Sequence, residues 1–170
     1  MKLFAIYVGG ELAGANIELH DMRFVVAPSI LKSHDALRAQ WWGVPNSLHI
    51  DCWAELDHAD GYDVELRTEP FMGVEKLYYV NLGGFDPTEF SEKHKNVFVV
   101  ADTPAEAKAR ALKSDNGLEM LHRDDMYEAE QVFALNDSAY SRHLHIHLTP
   151  VAEPRTLRFT CGYTPIRKRA

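Results

Sequence analysis

The chain has 170 residues, of which 46% are apolar and 25% charged, and its formal net charge is −7. This composition is typical of a globular protein that can bury about 70% of its unfolded surface. The acidic balance argues against nucleic acid as the main partner, because phosphate binding depends on clustered cations. No apolar run approaches the roughly 20 residues that span a bilayer, so we expect no membrane partner.

The chain contains an internal repeat. Residues 2–27 and 76–101 align without a gap at an offset of 74, and 10 of these 26 positions are identical. The identical positions in the first copy are Lys2, Leu3, Gly9, Gly10, Glu18, His20, Phe24, Val25, Val26 and Ala27. A second block recurs at an offset of 73, where Leu48, His49, Asp51 and Glu55 return as Leu121, His122, Asp124 and Glu128. The architecture is therefore predicted to be two copies of one unit.

The first copy begins with an apolar run, Lys2–Val8, which predicts a buried strand that ends in a turn at Gly9-Gly10. Residues 18–27 end in β-branched and aromatic side chains and predict a second strand. Residues 29–42 predict a helix, with Trp41 and Trp42 as its core anchors.

The next segment of the first copy, Leu48–Leu56, alternates strictly and predicts a half-buried strand. One face would carry Ile50, Cys52 and Ala54, and the other would carry His49, Asp51, Trp53 and Glu55. Asp60-Gly61 then predicts a hairpin turn into a strand over Tyr62–Arg67. The connector to the second copy is Glu69–Val74.

The second copy repeats this order, with strands over 76–82 and 92–101 and a helix over Pro104–Lys113. Thr103 as N-cap, Pro104 at the first position and Glu106 at the third indicate where that helix begins. The following strand is predicted over Leu121–Phe133, an insert over 136–138 and a return strand over Arg142–Leu148. A last strand is predicted over Thr156–Cys161.

These elements predict an α+β protein of two tandem ββαββ repeats with antiparallel sheets. The repeat units are residues 1–74 and 75–150, and residues 151–170 form a C-terminal strand and tail. We expect the two repeats to form one compact domain with a pseudo-two-fold axis.

The chain has two cysteines, Cys52 and Cys161. So few in a chain of this length favour a reducing compartment over a disulfide framework. Residues 1–20 lack the features of a signal peptide. We therefore expect a cytoplasmic protein.

The repeated polar residues are the candidate ligand-binding site. A Glu-x-His pair occurs at Glu18 and His20, and a His-x-Asp pair at His49 and Asp51. Their counterparts are Glu92, His94, His122 and Asp124. If the two strands meet, these groups line a groove in each copy, where they suit a divalent metal ion or general acid and base work by Glu18 and Glu92. The alternatives are structural hydrogen bonds and a solvated strand face.

A third group, His143, His145 and His147, lies on one face of a predicted strand. Neighbouring imidazoles on that face are roughly 7 Å apart, so they share a metal ion only if the strand bends or other ligands join. A polar outer face that picks up metal adventitiously is the alternative.

Several motifs in order resemble those of a bacterial family of domains of unknown function, family 1543, whose members carry one or two copies of such a unit. The motifs are Lys2-Leu-Phe4, Glu18-Leu-His-Asp21, His49-Ile-Asp-Cys-Trp53 and Ala59-Asp-Gly-Tyr62. The resemblance implies the repeat but no activity, substrate or cofactor. The second copy departs from it, with His122-Arg-Asp-Asp-Met126 and no Asp-Gly-Tyr turn.

Two functional hypotheses follow. The first is a non-enzymatic module, a monomer or homodimer, that binds a small molecule or a protein. The second is a metal-assisted enzyme with His20, His49 and Asp51, or their counterparts, as ligands. The residues permit a divalent metal cofactor without requiring one. The hypotheses differ in whether these three side chains reach one centre.

Overall fold

The computed structural model describes residues 1–113, 117–131 and 143–167. It contains ten strands and two helices with described bounds. The strands are β1 (Lys2–Gly10), β2 (Leu19–Ala27), β3 (His49–Glu55), β4 (His58–Ala59), β5 (Tyr62–Arg67), β6 (Lys76–Phe85), β7 (Glu92–Ala101), β8 (Glu119–Glu128), β9 (His145–Pro150) and β10 (Phe159–Pro165). The helices are α1 (Ile30–Gln40) and α2 (Pro104–Lys113). The fold is mixed α+β with antiparallel sheets, as predicted. Neither helix is long and apolar enough to cross a membrane.

The chain divides into two compact units, and the described residues of the first are 1–57, 143–144 and 156–167. This unit has a four-stranded sheet in the order β10-β3-β1-β2. Helix α1 packs through Leu37 against one face of the sheet. The core on that face consists of Phe4, Ile6, Val8, Val25, Ala27, Leu37, Leu48, Ile50 and Ile166.

A β-bulge at Asp51 changes the predicted faces of β3. Tyr7 pairs with Cys52, but Val8 pairs with Ile50, so Asp51 is an extra residue on β3. The bulge reverses the alternation, and Trp53 joins Ile50 against the core while Cys52 lies on the opposite face with His49. The prediction of strict alternation along this strand was therefore wrong.

Gly9 and Gly10 are the last two residues of β1 and pair with His20 and Leu19 of β2. The prediction that this glycine pair forms a turn was wrong. Gly83 belongs to β6 in the same way. At Gly9 and Gly83, side chains of the neighbouring strands lie where a Cβ atom would be.

Cys52 and Cys161 form a disulfide, contrary to the expectation of a chain without one. The two residues are 109 positions apart, and β10 brings them together because it pairs with β3 so that Cys161 lies opposite Cys52. The cysteines therefore give no support to a reducing compartment, and the cytoplasmic location stays a prediction.

The described residues of the second unit are 58–113, 117–131 and 145–155. One of its sheets has the order β7-β6-β8 and packs against α2 through Ala107 and Ala111. The succession β6, β7, α2, β8 repeats β1, β2, α1, β3, and in both units the first strand of the series pairs with the other two. The pseudo-two-fold axis stays a prediction.

The Asp60-Gly61 hairpin is present as predicted. Its two central residues have φ angles of 51° and 84°, which is the backbone conformation that an Asp-Gly turn supplies between β4 and β5. The carboxylate of Asp60 also accepts hydrogen bonds from the backbone N–H of Val100, at 2.8 Å, and from Arg110, at 2.6 Å. The turn is therefore tied to β7 and α2 within the same unit.

The fourth strands of the two predicted repeats pair with each other. β5 lies between β4 and β9 in a separate three-stranded sheet. For this reason the compact units, which divide at residues 57 and 58, do not coincide with the predicted boundary at residue 74.

Three other predicted strands have different bounds, and the return strand predicted over Arg142–Leu148 is β9, His145–Pro150. The strand predicted over Leu121–Phe133 ends at Glu128, and Phe133 lies outside the described residues, as do the insert at 136–138 and Arg142. The last strand covers Phe159–Pro165 instead of 156–161.

The helix predictions hold to different degrees. Helix α2 has the predicted bounds, and the Thr103 hydroxyl accepts the N–H of Glu106 at 3.2 Å as an N-cap does. Helix α1 ends at Gln40, two residues earlier than predicted. Trp41 packs against the core, but Trp42 is exposed and stacks on Trp41.

Candidate functional site

Gly9 is the floor of a cluster of four polar side chains in the first unit. It lies on the central strand β1, and its register partners are His20 on β2 and His49 on β3. Paired residues on neighbouring strands place their side chains on the same face. Both imidazoles therefore project from the sheet face opposite α1, into the space above Gly9.

The first cluster consists of Glu18, His20, His49 and Asp51, and each imidazole in it lies between the two carboxylates. Nε2 of His20 is 3.4 Å from Oε1 of Glu18 and 3.3 Å from Oδ2 of Asp51. Nε2 of His49 is 3.7 Å from Oε2 of Glu18 and 3.4 Å from Oδ1 of Asp51. The ligand atoms of Glu18, His20 and His49 all lie within 4.8 Å of one another.

The ring of His49 is held in one orientation, with Nε2 toward the cluster. Its side chain is only 2% exposed, and Nδ1 lies 2.9 Å from the carbonyl oxygen of Ser47. Since a carbonyl only accepts, Nδ1 carries a proton, and Nε2 is the nitrogen that faces the cluster. Nε2 is buried and has no hydrogen-bond partner among the described residues, and the same is true of Oδ2 of Asp51.

Ser47 is itself fixed by the chain around it. Its hydroxyl donates to the carbonyl of Val44 at 2.8 Å and accepts the N–H of Glu11 at 2.8 Å. The loop before β3 is thus tied to the residue that follows β1, and this sets the position of the His49 ring.

Two tyrosine rings enclose the first cluster. Tyr7 stacks on His20 with ring centroids 5.4 Å apart and the planes within 6°. Tyr163 of β10 lies against His49, with centroids 4.4 Å apart. Burial and the negative charges of Asp51 and Asp21 raise the pKa of Tyr7, so its phenol stays protonated at neutral pH.

The second cluster, Glu92, His94, His122 and Asp124, repeats the arrangement around Gly83. The register partners of Gly83 are His94 and His122, and Asp124 is a bulge residue like Asp51. Nε2 of His94 is 3.1 Å from Oδ2 of Asp124 and 3.7 Å from Oε2 of Glu92. Nε2 of His122 is 3.0 Å from one oxygen of each carboxylate.

The second cluster is more open than the first. The His122 side chain is 44% exposed, although its Nδ1 donates to the carbonyl of Met120 at 3.0 Å as His49 does to Ser47. That hydrogen bond and the charges of Asp124 and Glu92 raise the pKa of His122 above its usual value of 6.5. The exposed ring of His122 thus favours its protonated form beside the two carboxylates.

The chain is similar to a protein of known structure. The protein Il1583 from Idiomarina loihiensis, known from a crystal structure, is 34% identical to this chain with a TM-score of 0.71, over 99% of each chain. A family model described as Domain of Unknown Function (DUF1543) matches residues 15–66. The chain belongs to the DUF1543 family. No curated protein matches it.

The residues matched by the DUF1543 model include the whole first cluster. The distances in this cluster are longer than normal hydrogen bonds between nitrogen and oxygen, which are 2.7–3.2 Å. They involve both oxygens of each carboxylate, so they are not the edges of a single tetrahedron of four ligand atoms. The ligand atoms that come together in this DUF1543 protein, one per residue, are those of Glu18, His20 and His49.

The remaining polar candidates of this DUF1543 protein do not join the clusters. Nδ1 of His145 lies 2.8 Å from Glu130, and Nε2 of His147 donates to the carbonyl of Glu69 at 2.7 Å. His143 precedes β9 and is exposed. Among the described residues, three metal-ligating side chains meet at one point in two places, where Glu18 meets His20 and His49 and where Glu92 meets His94 and Asp124.

The repeated glutamates at the ends of β3 and β8 have a structural role. Glu55 binds Lys2 at 2.6 Å, and Glu128 binds Lys76 at 3.0 Å. These pairs join neighbouring strands and explain why both residue types recur in both copies.

Sequence reasoning missed Tyr7 and Tyr163. Tyr7 precedes Gly9 by two residues on the same strand, so alternation would have placed it beside the cluster. Tyr163 has no such local signal, because only the pairing of β10 with β3 brings it to His49.

Proposed function

We propose that this protein binds a divalent transition-metal ion through the imidazole nitrogens and carboxylate oxygens of the first cluster. The observation that carries the proposal is the position of Nε2 of His49. Its Nε2 is buried, lacks a hydrogen-bond partner among the described residues, and faces the carboxylates of Glu18 and Asp51. A cation at this point, either a metal ion or a proton on Nε2, offsets the charge of the two carboxylates.

The charge and chemistry of the ligand set support this proposal. Glu18 and Asp51 together contribute two negative charges, which a divalent cation neutralises. Two imidazoles with two carboxylates suit zinc, manganese or iron. The Nδ1 bond of His49 to Ser47 is the kind of outer hydrogen bond that orients a metal-ligating histidine.

We propose that the second cluster binds the same class of ion more weakly. It has the same four residue types around an equivalent glycine, and its His122 is oriented by an equivalent carbonyl. Its ligands are more exposed, so water competes with them for the ion more effectively. Two sites of unequal affinity are expected.

The experiment is metal analysis of the untagged protein, followed by titration after treatment with a chelator. We expect close to one equivalent of tightly bound zinc, manganese or iron, and a second that binds more weakly. His49→Ala should remove the tight equivalent. His34→Ala, on α1 outside both clusters, is the matched control and should retain it. Metal far below one equivalent, with no thermal shift on adding these ions, would exclude the proposal.

Metal-assisted catalysis is the second candidate, favoured by the position of Glu18. This glutamate lies just before β2 and is the most exposed member of the first cluster. With His20, His49 and Asp51 as ligands, Glu18 is placed to act as general base toward a metal-bound water, which is the arrangement of catalytic zinc sites. Glu18→Gln should then abolish turnover in an ester and phosphoester panel while metal is retained. Loss of metal in this variant would instead identify Glu18 as a ligand.

A further inference from the structure

The disulfide lies beside the first cluster. Cys52 directly follows Asp51, and its partner Cys161 is two residues before Tyr163, the ring that covers His49. The bond therefore joins the strand that carries two members of the cluster to the strand that supplies its cover.

Strand β10 is held to the first unit by few side chains. All seven of its residues, Phe159–Pro165, are exposed, and Cys161 is among them. The buried anchor of this segment is Ile166, 1% exposed, whose N–H donates to the carbonyl of Leu48 at 2.9 Å. The register of β10 on β3 is also interrupted between Cys161 and Thr164, which includes Tyr163.

We propose that the Cys52–Cys161 bond is a thiol-exchange site, and that its reduction by a dithiol opens the first cluster. The inference rests on the proposed function, because it concerns access to that metal ion. The bond is accessible on the Cys161 side, which thiolate attack requires.

The thiol–disulfide exchange has two steps. A thiolate of the dithiol attacks the sulfur of Cys161, the bond between Cys161 and Cys52 breaks, and Cys52 leaves as a thiolate and takes up a proton. The second thiol of the reductant then attacks its own sulfur in the mixed disulfide and releases Cys161 as a thiol. Two electrons pass to the cysteine pair, and the dithiol becomes a cyclic disulfide.

Reduction leaves β10 with its ladder to β3, the Ile166 anchor and the hydrogen bond from Arg38 to the carbonyl of Arg167 at 3.0 Å. The segment with Tyr163 then opens locally more often, because an exposed edge strand with little buried apolar surface has low local stability. Each opening removes the ring from His49 and admits water and competing ligands to the metal ion. The second cluster has no such control. Asp125 follows its Asp124, where the first unit has Cys52 after Asp51, and among the described strands β8 pairs only with β6.

The test measures the rate at which zinc leaves the first cluster to an excess of chromogenic chelator. His122→Ala, which disables the second cluster, leaves the first as the source of the signal. The protein is loaded with zinc in one of two states. It is either oxidised, or reduced with dithiothreitol and then desalted without oxygen. We expect release to be about ten-fold faster from the reduced protein.

Four variants distinguish loss of the Tyr163 ring over His49 from a general loosening of the chain. The double variant Cys52→Ser and Cys161→Ser should release zinc at the fast rate with or without dithiothreitol. Tyr163→Ala should release it fast even when oxidised, whereas Tyr163→Phe should retain the slow rate. His49→Ala disables the first cluster, so zinc released from this variant comes from the second cluster. That release rate should not change on reduction.

The outcomes are distinct. Equal release rates from oxidised and reduced protein that both hold zinc would overturn this inference and leave the proposed function intact. An equal acceleration at both clusters would also overturn it, because reduction would then loosen the whole chain. Failure of the oxidised protein to bind zinc would overturn the proposed function itself.

Discussion

Gly9 and His49 are register partners on β1 and β3, and a Cβ atom at Gly9 would lie 2.6 Å from Nε2 of His49. Real Cβ atoms essentially never approach another atom so closely. The glycine is thus required by the position of the imidazole. Gly83 has the same relationship to His122, at 2.8 Å. A ligand group in each copy is accommodated by a glycine on the central strand.

Gly9→Ala should therefore disrupt the first cluster. The methyl group would displace His49 and Asp51, so we expect metal affinity there to fall at least about ten-fold and the free energy of unfolding to fall by about 1–3 kcal/mol. Calorimetric titration with zinc measures the first effect, and urea unfolding in chelator the second. Gly83→Ala is the matched variant and should affect only the weaker equivalent. Two equivalents bound by Gly9→Ala with unchanged affinity would show that the cluster is not the site.

Asp51→Asn should separate metal affinity from stability. Without metal, Asp51 is a partly buried carboxylate near Glu18, and one of its oxygens has no hydrogen-bond partner among the described residues. Removing its charge should leave the metal-free protein as stable or raise its free energy of unfolding by about 0.5–1 kcal/mol. Zinc affinity should fall at least about ten-fold.

Urea unfolding with chelator and with excess zinc checks both parts of this prediction. Asp63→Asn, in an exposed pair with Arg155, is the control and should leave zinc affinity unchanged. A variant at Asp51 that loses stability in chelator but retains its zinc affinity would assign this carboxylate a structural role.

The raised pKa of His122 predicts a pH dependence of the metal-free protein. Because the folded state favours the protonated ring, this residue stabilises the fold fully below pH 6.5, its usual value, and the contribution is lost as the pH rises through the raised pKa. Titration of the ring by NMR in the presence of chelator should give a midpoint above 6.5, and Asp124→Asn should lower it. A midpoint below 6.5 would contradict the described hydrogen bond and charges.

The Asp60 turn should contribute to stability in two separable ways. Asp60→Asn keeps a residue that tolerates positive φ, but loses the charge that binds Arg110, and should cost about 1 kcal/mol. Asp60→Ala should cost about 2–3 kcal/mol, because it also loses the acceptor for Val100 N–H and places an alanine at φ 51°. Equal losses on urea unfolding would mean that the turn conformation contributes nothing.

The sequence predicts elements whose signals are local. Helix α2 has the predicted bounds because Thr103, Pro104 and Glu106 each act within one turn of its start. The Asp60-Gly61 hairpin follows from the backbone conformations of two adjacent residues. Such features need no knowledge of the rest of the chain.

The clusters were also predictable, for a different reason. Two Glu-x-His and two His-x-Asp pairs recur at nearly constant offsets beside a glycine pair, and adjacent strands bring these positions together. Which groups would face one another depends on the pairing of β1 with both β2 and β3. That pairing is a long-range property, so the prediction of the clusters was conditional on it.

Features that depend on distant residues could not be predicted. The bulge at Asp51 places one extra residue on β3, and nothing in the alternating pattern signals it. The Cys52–Cys161 bond and the Tyr163 cover depend on β10, more than 100 residues further along the chain than β3. β5 pairs with β9 across a comparable separation, which moves the boundary between the compact units.

Anomalous X-ray scattering from crystals of zinc-loaded protein tests the central claim most directly, because it locates the ion independently of activity. We expect a peak about 2.0–2.1 Å from Nε2 of both His20 and His49, with oxygens of the two carboxylates at similar distances. Zinc bound only elsewhere, with His49 Nε2 more than about 3 Å from any peak, would contradict the assignment of this cluster as a metal site.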